Sequence, residues 1–100
     1  MRVLVSCANG SGTSLMMMKS AEKAIKKLNI PITNIHHTSI SEGKSTAKNY
    51  DVVLTPVNFV NMFDSAKDKG VTVLGIKNVM SAKEIEEAIA GTDLVDRFGK

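Results

Sequence analysis

The residues best suited to chemistry lie near the N-terminus, where Cys7, the single cysteine of the chain, is followed by an unbroken run of small residues. Small side chains let the backbone curl so that successive amide N–H groups point inward, and a helix that begins near Thr13 adds its positive end. Such a loop suits a phosphoryl group, and it favours the thiolate, the form of cysteine that attacks phosphorus. We therefore predict that Cys7 is a catalytic nucleophile. The predicted phosphate-binding loop consists of Ala8, Asn9, Gly10, Ser11, Gly12, Thr13 and Ser14.

The spacing of this loop excludes three better-known phosphate-binding loops. A Walker A loop has four residues between its glycines and then a lysine, whereas Gly10 and Gly12 are separated by one residue. A dinucleotide-binding loop needs glycine or alanine three positions after Gly12, where this chain has Leu15. Cysteine-dependent phosphatases carry arginine six positions after the nucleophile, and that position is Thr13.

The missing arginine predicts what happens to a phosphorylated Cys7. An arginine would stabilise the charge that develops when water attacks the phosphocysteine, but Arg2 and Arg97, the two arginines of the chain, are distant from the loop in sequence. Hydrolysis is then poorly supported, which indicates a phosphate carrier that needs neither a metal nor another cofactor. Two alternatives stay open: an enzyme like the low-molecular-weight cysteine-dependent phosphatases, and a non-catalytic module that senses phosphorylation through the same loop.

Short apolar runs alternate with helical patterns along the whole chain. Strands are predicted at residues 2–6, 32–40, 51–54 and 71–76, and helices at about 13–29, 58–68 and from 81 onward, with a polar loop or irregular turn at 41–49. Ser81 followed by Glu84 is a capping-box pattern that opens the last helix. The first helix is predicted to bury one face, formed by Leu15, Met18, Ala21, Ile25 and Leu28.

This alternation predicts an α/β fold, a four-stranded parallel sheet flanked by helices in a Rossmann-like or flavodoxin-like βαβ architecture. Ligands bind to such sheets beyond the carboxyl ends of the strands, near the point where the strand order reverses. Cys7, segment 55–58 and segment 77–80 are all expected at that edge.

The composition of the chain limits the number of domains, the cellular location and the kinds of partner that we expect. The 100 residues are expected to form a single domain over 1–100 with no signal peptide or membrane span, placed in the cytoplasm. A net charge of +3 and four aromatic residues argue against nucleic acid binding. The lysines at 19, 23, 26 and 27 are expected to be a solvated helix face. His36 and His37 are interpreted as ordinary strand residues and Lys77 as a solvated side chain.

From Cys7 to Lys19 the chain resembles the IIB components of the phosphoenolpyruvate-dependent sugar phosphotransferase system. The resemblance is strongest to the ascorbate-type branch and next to the galactitol-type branch, and segment 75–81 is similar to the loop after the last strand of that family. The Asn-Gly-x-Gly run at 9–12 departs from the cellobiose and lactose branch, which disfavours a disaccharide substrate.

The resemblance implies a protein-Nπ-phosphohistidine–sugar phosphotransferase. A IIA protein would donate phosphate from a phosphohistidine to Cys7, and the phosphoryl group would pass to an ascorbate-like sugar as a IIC membrane permease moves it inward. The chain would associate with that permease without entering the membrane. Met16 and Met17, if exposed, would form a docking face for both partners.

Overall fold

Four parallel strands form one sheet in the order β2-β1-β3-β4, in a computed structural model that describes residues 1–7, 12–78, 81–92, 94 and 96. The sheet and its flanking helices confirm the predicted fold class. The elements are β1 (Arg2–Cys7), α1 (Gly12–Lys27), β2 (Asn34–Ser39), α2 (Ile40–Thr46), a 3₁₀ turn (Ala47–Asn49), β3 (Val52–Pro56), a 3₁₀ helix (Val57–Phe63), α3 (Asp64–Asp68), β4 (Thr72–Ile76) and α4 (Ala82–Ala90).

Each face of the sheet has its own apolar core, because successive side chains of a strand point to opposite faces. Val3 and Val5 of β1 pack with α1 and α4 on one face. Leu4 packs on the other face, with Ile40 of α2 and Phe63 of the 3₁₀ helix. The helices therefore cover both sides of the sheet and leave its carboxyl edge for the loops.

The first helix is where the sequence predicts it, but its buried face is turned from the predicted one. The fully buried residues of α1 are Met17, Ala21, Ala24 and Ile25. Leu15 is exposed, and Met18 and Leu28 are only partly buried. The prediction was wrong for Leu15, while Met18 and Leu28 pack at the margin of the first core. Because α1 packs against α4 as well as the sheet, the positions of both neighbours decide which residues of α1 are buried.

Segment 41–49 is helical, which corrects the predicted loop. Ser39 caps α2, since its Oγ accepts a hydrogen bond from the backbone N–H of Glu42 at 3.5 Å. Ile40 and Ala47 are buried against the second core. A seven-residue helix is too short to show a clear apolar period, so its anchors are visible only in the fold.

The predicted helix at 58–68 is divided into the 3₁₀ helix and α3. Pro56, at the start of the 3₁₀ helix, supplies no side-chain cap, and this end of the segment takes the tighter 3₁₀ winding. Phe63 and Ala66 are buried, whereas Met62 is exposed. Gly70 follows α3 with a φ of 90°, in the left-handed region that favours glycine.

The last helix agrees with its predicted start. Ser81 caps α4, because its Oγ accepts a hydrogen bond from the Glu84 N–H at 3.2 Å. Ile85 and Ile89 are buried in the first core, with Ala88 packed at its margin.

Candidate functional site

Cys7 is the last residue of β1, at the carboxyl edge of the sheet. The chain leaves β1 there and begins α1 at Gly12. β1 has β2 on one side and β3 on the other, so the strand order reverses beside β1. In parallel α/β sheets this reversal opens the crevice in which ligands bind. The structure thus places the backbone of Cys7 at the predicted edge and next to the reversal.

The predicted loop divides between the helix and the segment before it. Gly12, Thr13 and Ser14 form the first turn of α1. Backbone N–H groups in a first helical turn have no partner within the helix, and the helix dipole adds partial positive charge at this end. The end of β1 and the start of α1 therefore provide a place for an anion. The other predicted positions lie outside the described residues: Ala8, Asn9, Gly10 and Ser11.

Arg2 is at the other end of β1, far from this place. Its backbone N–H donates to Asp51 Oδ2 at 2.8 Å, and its guanidinium forms an ion pair with the same carboxylate at 3.9 Å. Five steps along the strand, at about 3.3 Å each, separate Arg2 from Cys7 by about 16 Å. Arg97 lies outside the described residues. Arg2 thus cannot serve as the missing phosphatase arginine.

Beneath the site, hydrogen bonds join the ends of β1 and β2 to α2. Ser6, fully buried, donates from its Oγ to the Ser39 carbonyl at 2.9 Å. Thr38 donates from its Oγ1 to Glu42 Oε2 at 2.8 Å. Gly43 of α2 lies so close to β1 that an added Cβ would overlap the Ser6 hydroxyl. The residue before Cys7 is therefore held by the end of β2 through Ser39 and by α2 through Gly43, which the sequence pattern did not predict.

Thr55 lies near the carboxyl end of β3, the strand across the reversal from β1. Its side chain is fully buried, and its Oγ1 has no hydrogen-bond partner among the residues that the structure describes. A buried hydroxyl without a partner costs free energy. Segment 55–58 was expected at this edge from the sequence, but nothing in the sequence distinguished Thr55 within it, because threonine is common in strands.

Glu84 fixes the loop that follows β4. Its carboxylate accepts hydrogen bonds from the backbone N–H groups of Lys77 at 2.6 Å and Asn78 at 2.9 Å. The Lys77 side chain is exposed, in agreement with its interpretation as solvated. The capping-box pattern predicted the bond between Ser81 and Glu84 but not this second role of Glu84. Val79 and Met80 of the same loop lie outside the described residues.

Two apolar side chains are exposed at the start of α1. Leu15 is 38% exposed and Met16 is 46% exposed. Met17 is fully buried, so its predicted role in a docking face is wrong: helical geometry turns neighbouring residues by about 100° and sends Met17 into the core. Met16 is exposed and can still contact a partner protein.

His36 and His37 lie on β2, an edge strand of the sheet. Their ring centroids are 6.1 Å apart with an angle of 28° between the planes. Within residues 1–7, 12–78, 81–92, 94 and 96, no group of three or more His, Cys, Asp or Glu could hold a metal ion. In the same part of the chain, no helix is long and apolar enough to cross a membrane.

A family model described as "PTS system, Lactose/Cellobiose specific IIB subunit" matches residues 2–91. The chain belongs to this IIB family. The match confirms the resemblance noted in the sequence and gives the chain the general role of a IIB component, a sugar phosphotransferase that works with IIA and IIC partners.

Two relatives add detail to this assignment. The "Ascorbate-specific PTS system EIIB component" of Mycoplasma pneumoniae is 25% identical over 91 residues, which is 90% of this chain and 92% of that protein. The lactose-specific IIB domain of the phosphotransferase system from Streptococcus pneumoniae has a TM-score of 0.67 at 15% identity, covering 90% of this chain and 94% of that one. The structural likeness concerns the fold. The family model is named for lactose and cellobiose, the Streptococcus pneumoniae structure for lactose and the Mycoplasma pneumoniae relative for ascorbate.

Proposed function

We propose that Cys7 of this IIB chain carries the phosphoryl group between a IIA protein and a sugar. The observation that supports this most is the position of Cys7, which ends β1 beside the strand-order reversal and precedes the N-terminus of α1. Cys7 is also the single cysteine of the chain, and a run of small residues follows it. The backbone amides between Asn9 and Ser14 would bind the phosphoryl oxygens, together with the hydroxyl groups of Thr13 and Ser14.

The reaction consists of two transfers. In the first, the Cys7 thiolate attacks the phosphorus of a phosphohistidine on IIA, the P–N bond breaks and the imidazole leaves with a proton. In the second, a sugar hydroxyl attacks the phosphocysteine, the P–S bond breaks, the thiolate re-forms and the hydroxyl proton is released. Amide groups fixed at a helix start stabilise the charge on the phosphoryl oxygens in both steps.

The surroundings favour a carrier over a phosphatase. With Arg2 paired to Asp51 at the far end of β1, no guanidinium of the described residues stabilises attack by water on a phosphocysteine. We therefore expect the phosphocysteine to be hydrolysed slowly, so that it survives until the chain meets the permease.

For the substrate we propose an ascorbate-like sugar acid. The supporting observations are the 25% identity to an ascorbate-specific component over nearly the whole length of both chains and the Asn-Gly-x-Gly run of the loop. In this proposal residues 1–100 act as one domain in the cytoplasm, at the surface of a IIC permease.

The test is a complete phosphotransfer assay with labelled sugars. Phosphoenolpyruvate, the general phosphotransferase proteins, IIA proteins of the ascorbate, galactitol and lactose types, and membranes containing the corresponding IIC permeases are combined with this chain. We expect phosphorylated ascorbate to form with the ascorbate-type set, and Cys7→Ala to abolish it.

The control is Ser45→Ala, which changes an exposed residue of α2 and should leave product formation unchanged. Product from lactose or galactitol in place of ascorbate would overturn the substrate proposal and keep the carrier proposal. Undiminished product with Cys7→Ala would overturn both.

A further inference from the structure

The exposed face of α1 has an unusual concentration of positive charge. Four exposed lysines lie on this helix with one acidic residue, the half-buried Glu22. The surplus of three positive charges in α1 equals the net charge of the whole chain, +3, and the rest of the chain balances its acidic and basic residues. The basic face consists of Lys19, Lys23, Lys26 and Lys27.

Among the residues that the structure describes, no carboxylate neutralises the charge of this face. The ion pair between Arg2 and Asp51 is the one formed within the described ranges, so none of the four lysines is paired to a carboxylate there. Lys26 and Lys27 lie in the last turn, where the helix dipole favours positive charge. The helix dipole does not explain the presence of Lys19 and Lys23, because these lysines are in the middle of the helix.

The basic face continues into the two exposed apolar residues near Cys7. At 100° per residue, Leu15, Met16 and Lys19 point to the same side of α1 as the other lysines. The side chains from Leu15 to Lys27 extend over about 18 Å at 1.5 Å per residue. The apolar end begins three residues after Gly12, the first residue of α1, so a molecule that reaches Cys7 past α1 meets Leu15 and Met16.

We infer that the basic face of α1 binds an acidic surface of the protein that donates the phosphoryl group, with Leu15 and Met16 as the apolar contact next to Cys7. This inference rests on the proposed function. Complementary charge accelerates the encounter of two freely diffusing proteins and orients them, and an apolar contact beside the reacting atoms holds the complex.

The structure favours a protein over a lipid surface as the occupant. A helix that binds a bilayer inserts an apolar face between the headgroups. The apolar face of α1 is already buried against the sheet and α4, through residues such as Met17 and Ile25. Leu15 and Met16 form an apolar contact at one end of the helix, next to Cys7, where a protein partner must come close.

The experiment compares two quadruple variants with the same change in charge. The first replaces Lys19, Lys23, Lys26 and Lys27 with Gln. The matched control also has four lysines replaced with Gln, but these are exposed lysines away from α1, namely Lys44, Lys48, Lys67 and Lys69. The probes are phosphorylated IIA proteins of the ascorbate, galactitol and lactose types, and the readout is the initial rate of phosphoryl transfer to this chain at low and high salt.

We expect the α1 variant to accept the phosphoryl group about tenfold more slowly at low salt, with a weaker dependence on salt, since charge steering raises association rates by about 10–1000-fold. The control variant should stay close to the unmodified chain. Circular dichroism confirms that both variants fold. Met16→Ser should lower the rate at low and high salt alike, because the apolar contact is not screened.

The outcomes separate this inference from the proposed function. Absence of any phosphoryl transfer to the unmodified chain, with every IIA protein, contradicts the proposed function and the inference together. Transfer to the unmodified chain with equal rates for the two quadruple variants overturns the inference alone. Equal transfer rates combined with loss of binding of the α1 variant to vesicles of phosphatidylcholine and phosphatidylglycerol would also overturn it and identify the lipid surface as the occupant.

Discussion

Small residues lie side by side at the carboxyl edge of the sheet, beneath the candidate site. Ser6 pairs with Thr38 in the register of β1 and β2, and Thr55 pairs with Gly75 in the register of β3 and β4. Because these residues are small, α2 and the 3₁₀ helix can pack closely against the sheet. Gly43 of α2 lies over Ser6, and a Cβ on Gly75 would be 3.1 Å from Val57 Cα of the 3₁₀ helix. Helices can therefore approach the sheet closely next to Cys7.

Thr55→Val should raise the stability of the protein. The substitution replaces a fully buried hydroxyl, which has no hydrogen-bond partner within the described part of the chain, with a methyl group of similar size. Removal of such a penalty is worth about 1 kcal/mol. The measurement is the free energy of unfolding in urea.

Ser6→Ala serves as the control for Thr55→Val, because the Ser6 hydroxyl is equally buried but donates to the Ser39 carbonyl. It should lower the free energy of unfolding by about 1 kcal/mol. A loss of stability in Thr55→Val as large as in Ser6→Ala would mean that the Thr55 hydroxyl has a partner in solution.

Gly43→Ala should destabilise the protein despite its place in a helix. Alanine favours the helix by about 1 kcal/mol, but its Cβ would overlap the Ser6 hydroxyl and lie 3.3 Å from Phe63 Cε1. Overpacking of this kind costs about 1–3 kcal/mol. We expect a net loss in urea unfolding, reduced when Ser6→Ala is added.

The comparison for Gly43→Ala is Gly91→Ala at the end of α4, where the added Cβ meets its nearest atom at 3.6 Å. That variant should keep or slightly gain stability. If Gly43→Ala were as stable as Gly91→Ala, α2 would not be packed on β1 as described.

At the scale of the elements, the loop after β4 depends on a side chain from α4. The Glu84 carboxylate binds two successive backbone N–H groups, those of Lys77 and Asn78. Hydrogen bonds to a charged group contribute about 1.5–3 kcal/mol each.

Glu84→Ala should therefore loosen this loop more than the rest of the fold. We expect the amide hydrogens of Lys77 and Asn78 to exchange at least about tenfold faster by NMR, because each loses an acceptor worth more than 1.4 kcal/mol. Amides in β1, such as that of Leu4, report on global stability. Glu87→Ala, an exposed glutamate of the same helix, is the matched variant, and equal exchange in both would contradict the role given to Glu84.

The elements differ in how far sequence could predict them. β1 is a short apolar run that stops at a series of small residues, and α1 has a long apolar period, so both were predicted close to their bounds. The start of α4 was predicted from the cap formed by Ser81 with Glu84. α2 was missed because its seven residues are too few for a period and its anchors, Ile40 and Gly43, act through tertiary packing. The buried face of α1 was misjudged for a related reason: a period shows that a helix has an apolar face, while the neighbours decide which of Leu15 and Met17 faces inward.

At the scale of the whole molecule, the fold brings together what local sequence cannot relate. Alternating strands and helices predict a parallel sheet, but the order β2-β1-β3-β4 depends on which way each crossover turns. This order places Cys7 next to the reversal and Thr55 on the neighbouring strand. The lysines of α1, by contrast, could be placed on one helix face from their spacing in the sequence alone.

The central claim is that the phosphoryl group is carried on Cys7, and the most direct measurement locates it there. The chain is incubated with a phosphorylated IIA protein, digested at neutral pH, and the phosphopeptide is sequenced by tandem mass spectrometry, with Cys7→Ser as the comparison. We expect the added phosphoryl group on the peptide that contains Cys7, retained after the donor is removed, and none on the variant. A phosphoryl group on His36 or His37, or rapid release of free phosphate from the unmodified chain, would contradict the claim.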